Sequence, residues 1–506
     1  MDYEQIRKCE DRSWSLKLVE KLKTCTEESE LDEIVRTLQV LDDYRTEMPL
    51  QEIMEDRNNS SALRSLASDV LYNCVTTDTK ALRNSWWNSG DEILMRHALR
   101  VATKSEKELV VKIANDPEHV HYIDAIEAMN FGFEEPYFQK LKIRAMSHND
   151  PQVRRAAAEA VLWDQPIAAE SGLLILANDE DDNVTEKALD ALCYYSSQAV
   201  LIRLDELIKT ARDPLKEMQE KALSEVTLSF ATSIKYLKAN SPEAFLIFKN
   251  WLRPVEHLFN WAEIDRPEEP TTLQSSLEKP MKATVQKITE RFNNANGKWA
   301  DRWNYVRSLD YEAFTNGDKS ILETFFSSHI DWSVREQAGY VLAKLDDSKG
   351  LSKLLDDSIF CVRRSAAYWI REVSKNEEIA EKLWEITQSE ETWGTYGSEL
   401  LESYALHESS SVKLEKRLVE LALTDPRETI RMTAICEMEK RTARACVESV
   451  LCLLKEEPLV TWSVHTSILN ACSALDINVP GIEKLSQIDD LYVQEYLAKV
   501  VCKRRK

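Results

Sequence analysis

The apolar positions of this chain fall at helical spacing almost from end to end. Leu16, Val19 and Leu22 share one helix face. Leu31, Ile34, Val35, Leu38 and Leu41 form a second stripe of the same period. Between about Asp489 and Lys503, residues Leu491, Tyr492, Val493, Tyr496, Leu497 and Val500 form another, read as a closing helix. Only 10 glycines and 14 prolines interrupt 506 residues, which favours helix over an all-β or Gly-rich architecture. No run of 18 or more apolar residues occurs, so no membrane span is expected.

A local pattern, D-x-x-V-R-x-x-A, recurs within these helical stretches. It is complete at Asp150 to Ala157 and again at Asp331 to Ala338. Partial copies are Asp181, Val184 and Ala188; Val362, Arg363 and Ala366; and Asp490, Val493 and Leu497. A looser one runs Asp425-Pro426 to Ile430, Arg431 and Ala434. Anchored on the Val position, one ladder steps through Leu63, Leu94, His121, Val153, Val184 and Met218. A second steps through Val334, Val362, Tyr396, Ile430, Val464 and Val493. The steps lie between 27 and 34 residues, room for two short helices and two turns.

The pattern has a structural chemistry. An Asp before the helix accepts from free backbone N–H groups, and a Pro after it suits the first turn. Val and the Ala four positions on share a face, and the small Ala lets a neighbouring helix come close. The Arg beside Val lies near the turn, where it can pair with an Asp of the adjacent repeat. These residues resemble HEAT repeats of the short variety common in bacterial proteins, over roughly 60–230 and 320–500. The resemblance implies an all-α fold, a right-handed α-solenoid of HEAT/armadillo-like helical hairpins with a concave face. It implies no particular activity.

Four regions follow: an N-terminal helical cap over 1–60, repeats over 61–235, a less regular segment over 236–320, and repeats over 321–506 closing on a capping helix and basic tail. The middle segment holds Pro242, Pro254, Pro267, Pro270 and Pro280, and also Trp251, Trp261, Trp299 and Trp303. Its stretch from Glu263 to Thr272 reads as an exposed loop, with helices around Phe245–Trp261 and Met281–Phe292. It is either degenerate repeats joined by a long loop or an insertion that shapes the concave face or contacts a partner.

Charge narrows the partners. A net charge of −22 repels nucleic-acid phosphates, and the one dense basic run, Lys503 to Lys506, reads as a solvated end. A basic protein partner fits better than nucleic acid or a membrane. The N-terminus lacks a secretory layout and ten scattered cysteines form no C-x-x-C pair, so reduced thiols and a cytoplasmic address are expected. No phosphate-binding glycine loop, nucleophile elbow or zinc spacing occurs. Asp179 to Asn183 lacks the glycine a calcium loop needs at Val184. His119 and His121 find no second half for a metal site. No catalytic, cofactor or metal residue is assigned, and no cofactor is expected.

Tryptophan supplies the candidate contacts, because it is enriched at binding hot spots. Trp86 and Trp87 sit in a polar setting typical of a turn. Trp299 and Trp303 share a helix face beside Arg302. The favoured expectation is a non-enzymatic protein-binding scaffold or adaptor using an acidic surface. The alternative is an enzyme on the same scaffold, such as an alkylated-base DNA glycosylase-like or bilin lyase-like protein. The glycosylase version would use Trp299, Asp301, Arg302 and Trp303.

Overall fold

The structure, a computed structural model, describes residues 2–504 apart from 74–79, 104–105, 131–132, 134, 163, 211–212, 265–280, 295, 389–393 and 457–460. Among the described residues every regular element is a helix, and the sole β feature is an isolated bridge between Met281 and Leu309. The chain forms two compact units. Unit 1 comprises Met1–Ala102, Leu273–Ser389 and Glu402–Ser409; unit 2 comprises Thr103–Thr272, Glu390–Leu401 and Ser410–Lys506. Each unit thus brings together segments far apart in sequence.

The repeat signature does the structural work its chemistry suggests. Asp150 caps the helix Pro151–Ala160 by accepting from Gln152 N at 2.9 Å, with Pro151 in the first turn. Asp181 caps Asp182–Leu192, and Asp331 caps Trp332–Lys344. The anchors Val153, Val184, Val334, Val362, Ile430 and Val493 are all buried. Burial of each such side chain contributes about 1.5–3 kcal/mol. Leu63 and Met218 are only half-buried. His121 precedes the helix Tyr122–Ala128 as its N-cap residue rather than standing within it.

Signature helices stack on one another from repeat to repeat. In unit 2, Pro151–Ala160 packs on Asp182–Leu192, and Glu428–Lys440 on Ser463–Leu475, which packs on Leu491–Arg504. The last helix also packs on Pro242–Leu252, which joins the two long segments of this unit. In unit 1, Trp332–Lys344 packs on Phe360–Trp369. Gly339 sets that approach: a Cβ there would stand 2.5 Å from Ser365 Oγ, 3.1 Å from the Ser365 carbonyl and 3.0 Å from Trp369 Cδ1. Gly339→Val is therefore expected to destabilise unit 1 by about 1–3 kcal/mol despite removing a helical glycine. Urea unfolding of the full chain reads this, and an unchanged or raised midpoint would show that the helices part without cost.

Arginines tie the repeats together. Arg154 makes a bidentate pair with Asp179 at 2.8 and 2.7 Å, and Arg335 makes one with Asp357 at 2.6 and 3.0 Å. Each also donates to two carbonyls of the turn before its own helix, His148 and Asn149 for Arg154, His329 and Ile330 for Arg335. One guanidinium thus satisfies a turn in its own repeat and a carboxylate in the next. Arg64 and Asp91 repeat the pairing at 2.7 Å.

The described part of the middle segment is helical at Pro242–Leu252, Val285–Asn293 and Trp299–Arg307, among others. Most of the polar stretch expected as a loop, from 265 onward, lies outside the described residues, as do Arg505 and Lys506. The nine described cysteines are free, but only Cys472 is fully buried and Cys452 is exposed. No helix among the described residues is long and apolar enough to cross a membrane.

Candidate functional site

Unit 2 contains a cavity of about 410 Å³ between residues 165–197 and 461–492. Its first wall is a turn pinned from behind. The fully buried Lys142 pairs with Asp164, and Gln139 Nε2 donates to the same carboxylate at 3.0 Å. The next residue, Gln165, adopts a left-handed backbone with φ +47°. Tyr195 Oη then holds the Pro166 carbonyl at 3.0 Å. This arrangement delivers Glu170, the first residue of the helix Glu170–Leu176, to the cavity.

The second wall comes from the start of the last helix. Asp489 accepts from the backbone N–H groups of Gln198 and Ala199, both at 3.1 Å, and so caps a helix distant in sequence. Asp490 accepts from Ser196 Oγ at 2.5 Å and from Tyr492 N and Val493 N at 3.0 and 2.9 Å. Leu491 N donates to Ser196 O at 2.8 Å, which closes the seam. Tyr194, Tyr492 and Trp462 supply rings.

Three carboxylates line this cavity, and among the described residues that line it none is Lys, Arg or His. The consequence is electrostatic. Burial pushes the Glu170 carboxyl up to about 7; a Ser197 hydrogen bond opposes this, and the charges of Asp489 and Asp490 reinforce it. Burial also raises Asp490, against its three hydrogen bonds and together with the Asp489 charge. The two Asp side chains have several donors to satisfy them, whereas Glu170 takes a hydrogen bond from the Ser197 hydroxyl. A cation entering the cavity would relieve this crowding.

The tryptophans singled out by sequence have different fates. Trp86 is buried, its Nε1 donating to Glu55 at 2.7 Å and its ring edge meeting His97. Trp87 is half-buried against the N-terminal core. Trp299 and Trp303 come together: their rings stack at 5.7 Å and 17° on the helix Trp299–Arg307 of unit 1. Trp303 further meets Tyr340 at 5.4 Å and Trp369 at 6.3 Å, one from each of the next two signature helices. Trp299 Nε1 donates to Glu336 at 3.0 Å.

Arg302, placed with them by sequence, turns inward and is 1% exposed. Its Nη1 meets Asp331 at 2.9 Å, and its Nη2 donates to the Asn294 carbonyl at 2.6 Å. It is an inter-repeat arginine like Arg335, 33 positions earlier in the chain. Asp179 and Asp181 are likewise accounted for by an arginine pair and a helix cap. Among the described residues no three His, Cys, Asp or Glu side chains are grouped to hold a metal ion.

The cavity escaped the sequence reading because Glu170 and Asp490 stand 320 positions apart, and Asp490 read only as the cap of the last helix.

No protein-family model matches the chain, and no curated protein matches its sequence. Solved structures do. Human deoxyhypusine hydroxylase is 15% identical over 60% of this chain and 98% of that one, with a TM-score of 0.22. Importin beta is 12% identical over 94% of this chain and 70% of that one, with a TM-score of 0.29. A computationally designed armadillo repeat protein for modular peptide recognition is 15% identical over 41% of this chain and 98% of that one, with a TM-score of 0.20. Likenesses this remote say nothing of function. Capped D-x-x-V-R-x-x-A helices, stacked repeat on repeat and tied by arginines, make this chain an all-α protein of HEAT/armadillo-like helical repeats.

Proposed function

We infer that the protein is a non-enzymatic scaffold or adaptor that binds other proteins, and that its partner in unit 2 is a basic protein of the cytoplasm. The observation that carries this reading is the cavity around Glu170, which among the described residues is lined by three carboxylates and no cation. Its volume of about 410 Å³ is in the range of ligand pockets and admits a lysine or arginine side chain. Tyr194, Trp462 and Tyr492 offer ring faces to a guanidinium or to the stem that carries it. The net charge of −22 supports the same polarity of partner at long range by steering a cationic surface inward.

The test is fluorescence anisotropy of the full chain with a labelled ten-residue peptide carrying arginine at alternate positions. A peptide with glutamate in their place is the control. The arginine peptide is expected to bind and the glutamate peptide not. Raising salt from about 50 to about 300 mM shortens the screening length roughly 2.5-fold and should weaken binding severalfold. Glu170→Lys should weaken it by about a hundredfold, since a buried carboxylate becomes a like charge. Arginine-peptide binding that survives Glu170→Lys would reject the cavity as the site.

A further inference from the structure

The stacked tryptophans of unit 1 belong to a second surface whose chemistry is opposite to that of the cavity. Trp299 and Trp303 lie side by side, Tyr340 and Trp369 extend the row across two further helices, and Tyr340 meets Trp369 at 4.9 Å. Trp299 is 37% exposed, and Trp303, Tyr340 and Trp369 are half-buried. Four large rings left partly in water across consecutive repeats are costly for a surface that covers nothing.

The charges beside the rings indicate the occupant. The Arg307 guanidinium lies 5.8 Å from the Trp303 ring centre, and Lys344 Nζ lies 5.5 Å from that of Tyr340. Both side chains are exposed, and neither makes an ion pair or hydrogen bond with a described residue. The acids on the same helices are Asp301, which is exposed, and Glu336, which is half-buried and accepts the Trp299 Nε1 hydrogen bond. So two free cations border an aromatic row in a chain of net charge −22.

We propose that this surface docks an acidic segment of a protein partner, with an aromatic or long apolar side chain against the Trp303–Tyr340–Trp369 row and flanking carboxylates on Arg307 and Lys344. At physiological salt the screening length is about 8 Å, so a short segment docked here senses these two cations more than charges elsewhere on the chain. A nucleic acid carries phosphates over a length that would meet the net negative charge, and two cations do not neutralise such a track. An acidic segment needs only two. With a basic partner in unit 2, the protein would then bridge two proteins of opposite charge.

The experiment uses the full chain and a fluorescein-labelled twelve-residue peptide alternating glutamate with phenylalanine and leucine. Controls are the same peptide with lysine for glutamate and a labelled twelve-nucleotide thymidine oligomer. The acidic peptide is expected to bind. Arg307→Glu with Lys344→Glu should weaken it by at least about tenfold, and Trp303→Ala by about thirtyfold. The charge reversals touch exposed side chains and leave the fold intact, so they decide the matter even if Trp303→Ala unfolds unit 1. Glu170→Lys in unit 2 should change nothing, which separates this surface from the cavity. Failure to bind the acidic peptide at millimolar concentration, binding indifferent to the charge reversals, or preference for the lysine peptide or the oligonucleotide would overturn the proposal.

Discussion

Replacing Asp331 with alanine is expected to remove about 3–5 kcal/mol from the stability of unit 1. Asp331 is 1% exposed and serves three groups at once. It pairs with the equally buried Arg302, caps Trp332–Lys344 through Ser333 N at 3.0 Å, and lies 3.8 Å from the buried Arg12 guanidinium. Removing the carboxylate strands a buried positive charge and uncaps a helix, and the stranded charge is the larger cost. Taking out both charges while keeping the cap, as in Arg302→Met with Asp331→Asn, should cost less than Asp331→Ala alone. Hydrogen exchange of the full chain localises the effect: protection should fall in Trp299–Arg307 and Trp332–Lys344 and hold in Pro151–Ala160. A loss below about 1 kcal/mol would mean that water replaces the carboxylate.

The pH dependence of this pair has a definite sign. Burial alone would raise the Asp331 carboxyl; hydrogen bonds from Arg302 and Ser333 and the Arg302 and Arg12 charges overcome it and leave it lowered. A lowered carboxyl stabilises the fold above its unfolded pKa of about 3.9 and loses that contribution as pH falls through the folded value. The pair is therefore indifferent to pH near neutrality and fails in acid.

Glu170 behaves in the opposite way. A carboxyl moved from its ordinary 4.5 to about 7 by burial carries a penalty of about 3 kcal/mol when ionised. Folded protein then holds a proton that the unfolded chain has released. Stability of unit 2 should fall as pH rises from about 4.5 to 7, and the full penalty should persist above that. Glu170→Gln is expected to raise stability by about 1–3 kcal/mol at pH 8 and to change it little at pH 4.5. Urea unfolding of both proteins at the two pH values measures the difference. Parallel pH profiles would show that Glu170 is solvated. A side chain whose removal stabilises the fold is the kind retained for binding.

What was legible in the sequence follows from how local each signal is. The capping aspartates and the Val–Ala faces of 150–157 and 331–338 act within one helix, so their spacing was enough to place Val153 and Val334 in the core. Trp299 and Trp303 share a face by their spacing of four. Tyr340 and Trp369 join them only because the next two signature helices pack alongside, which no local pattern records. The burial of Arg302 is not evident locally because its repeat lacks both the Asp and the Val of the signature. Its position 33 residues before Arg335 was the clue to its burial. The cavity required the chain to bring 164–198 against 461–492, and that seam is made by backbone and capping bonds rather than by any motif.

Proton release is the sharpest test of whether Glu170 receives a cationic side chain. With its carboxyl at about 7, Glu170 is about half protonated at pH 7, and a bound cation should drive the proton off. Calorimetric titration of the arginine peptide at pH 7, in two buffers of different ionisation enthalpy, should therefore report about half a proton released per peptide. Glu170→Gln should abolish the release. Binding without proton release, or release that persists in Glu170→Gln, would show that no cation reaches Glu170.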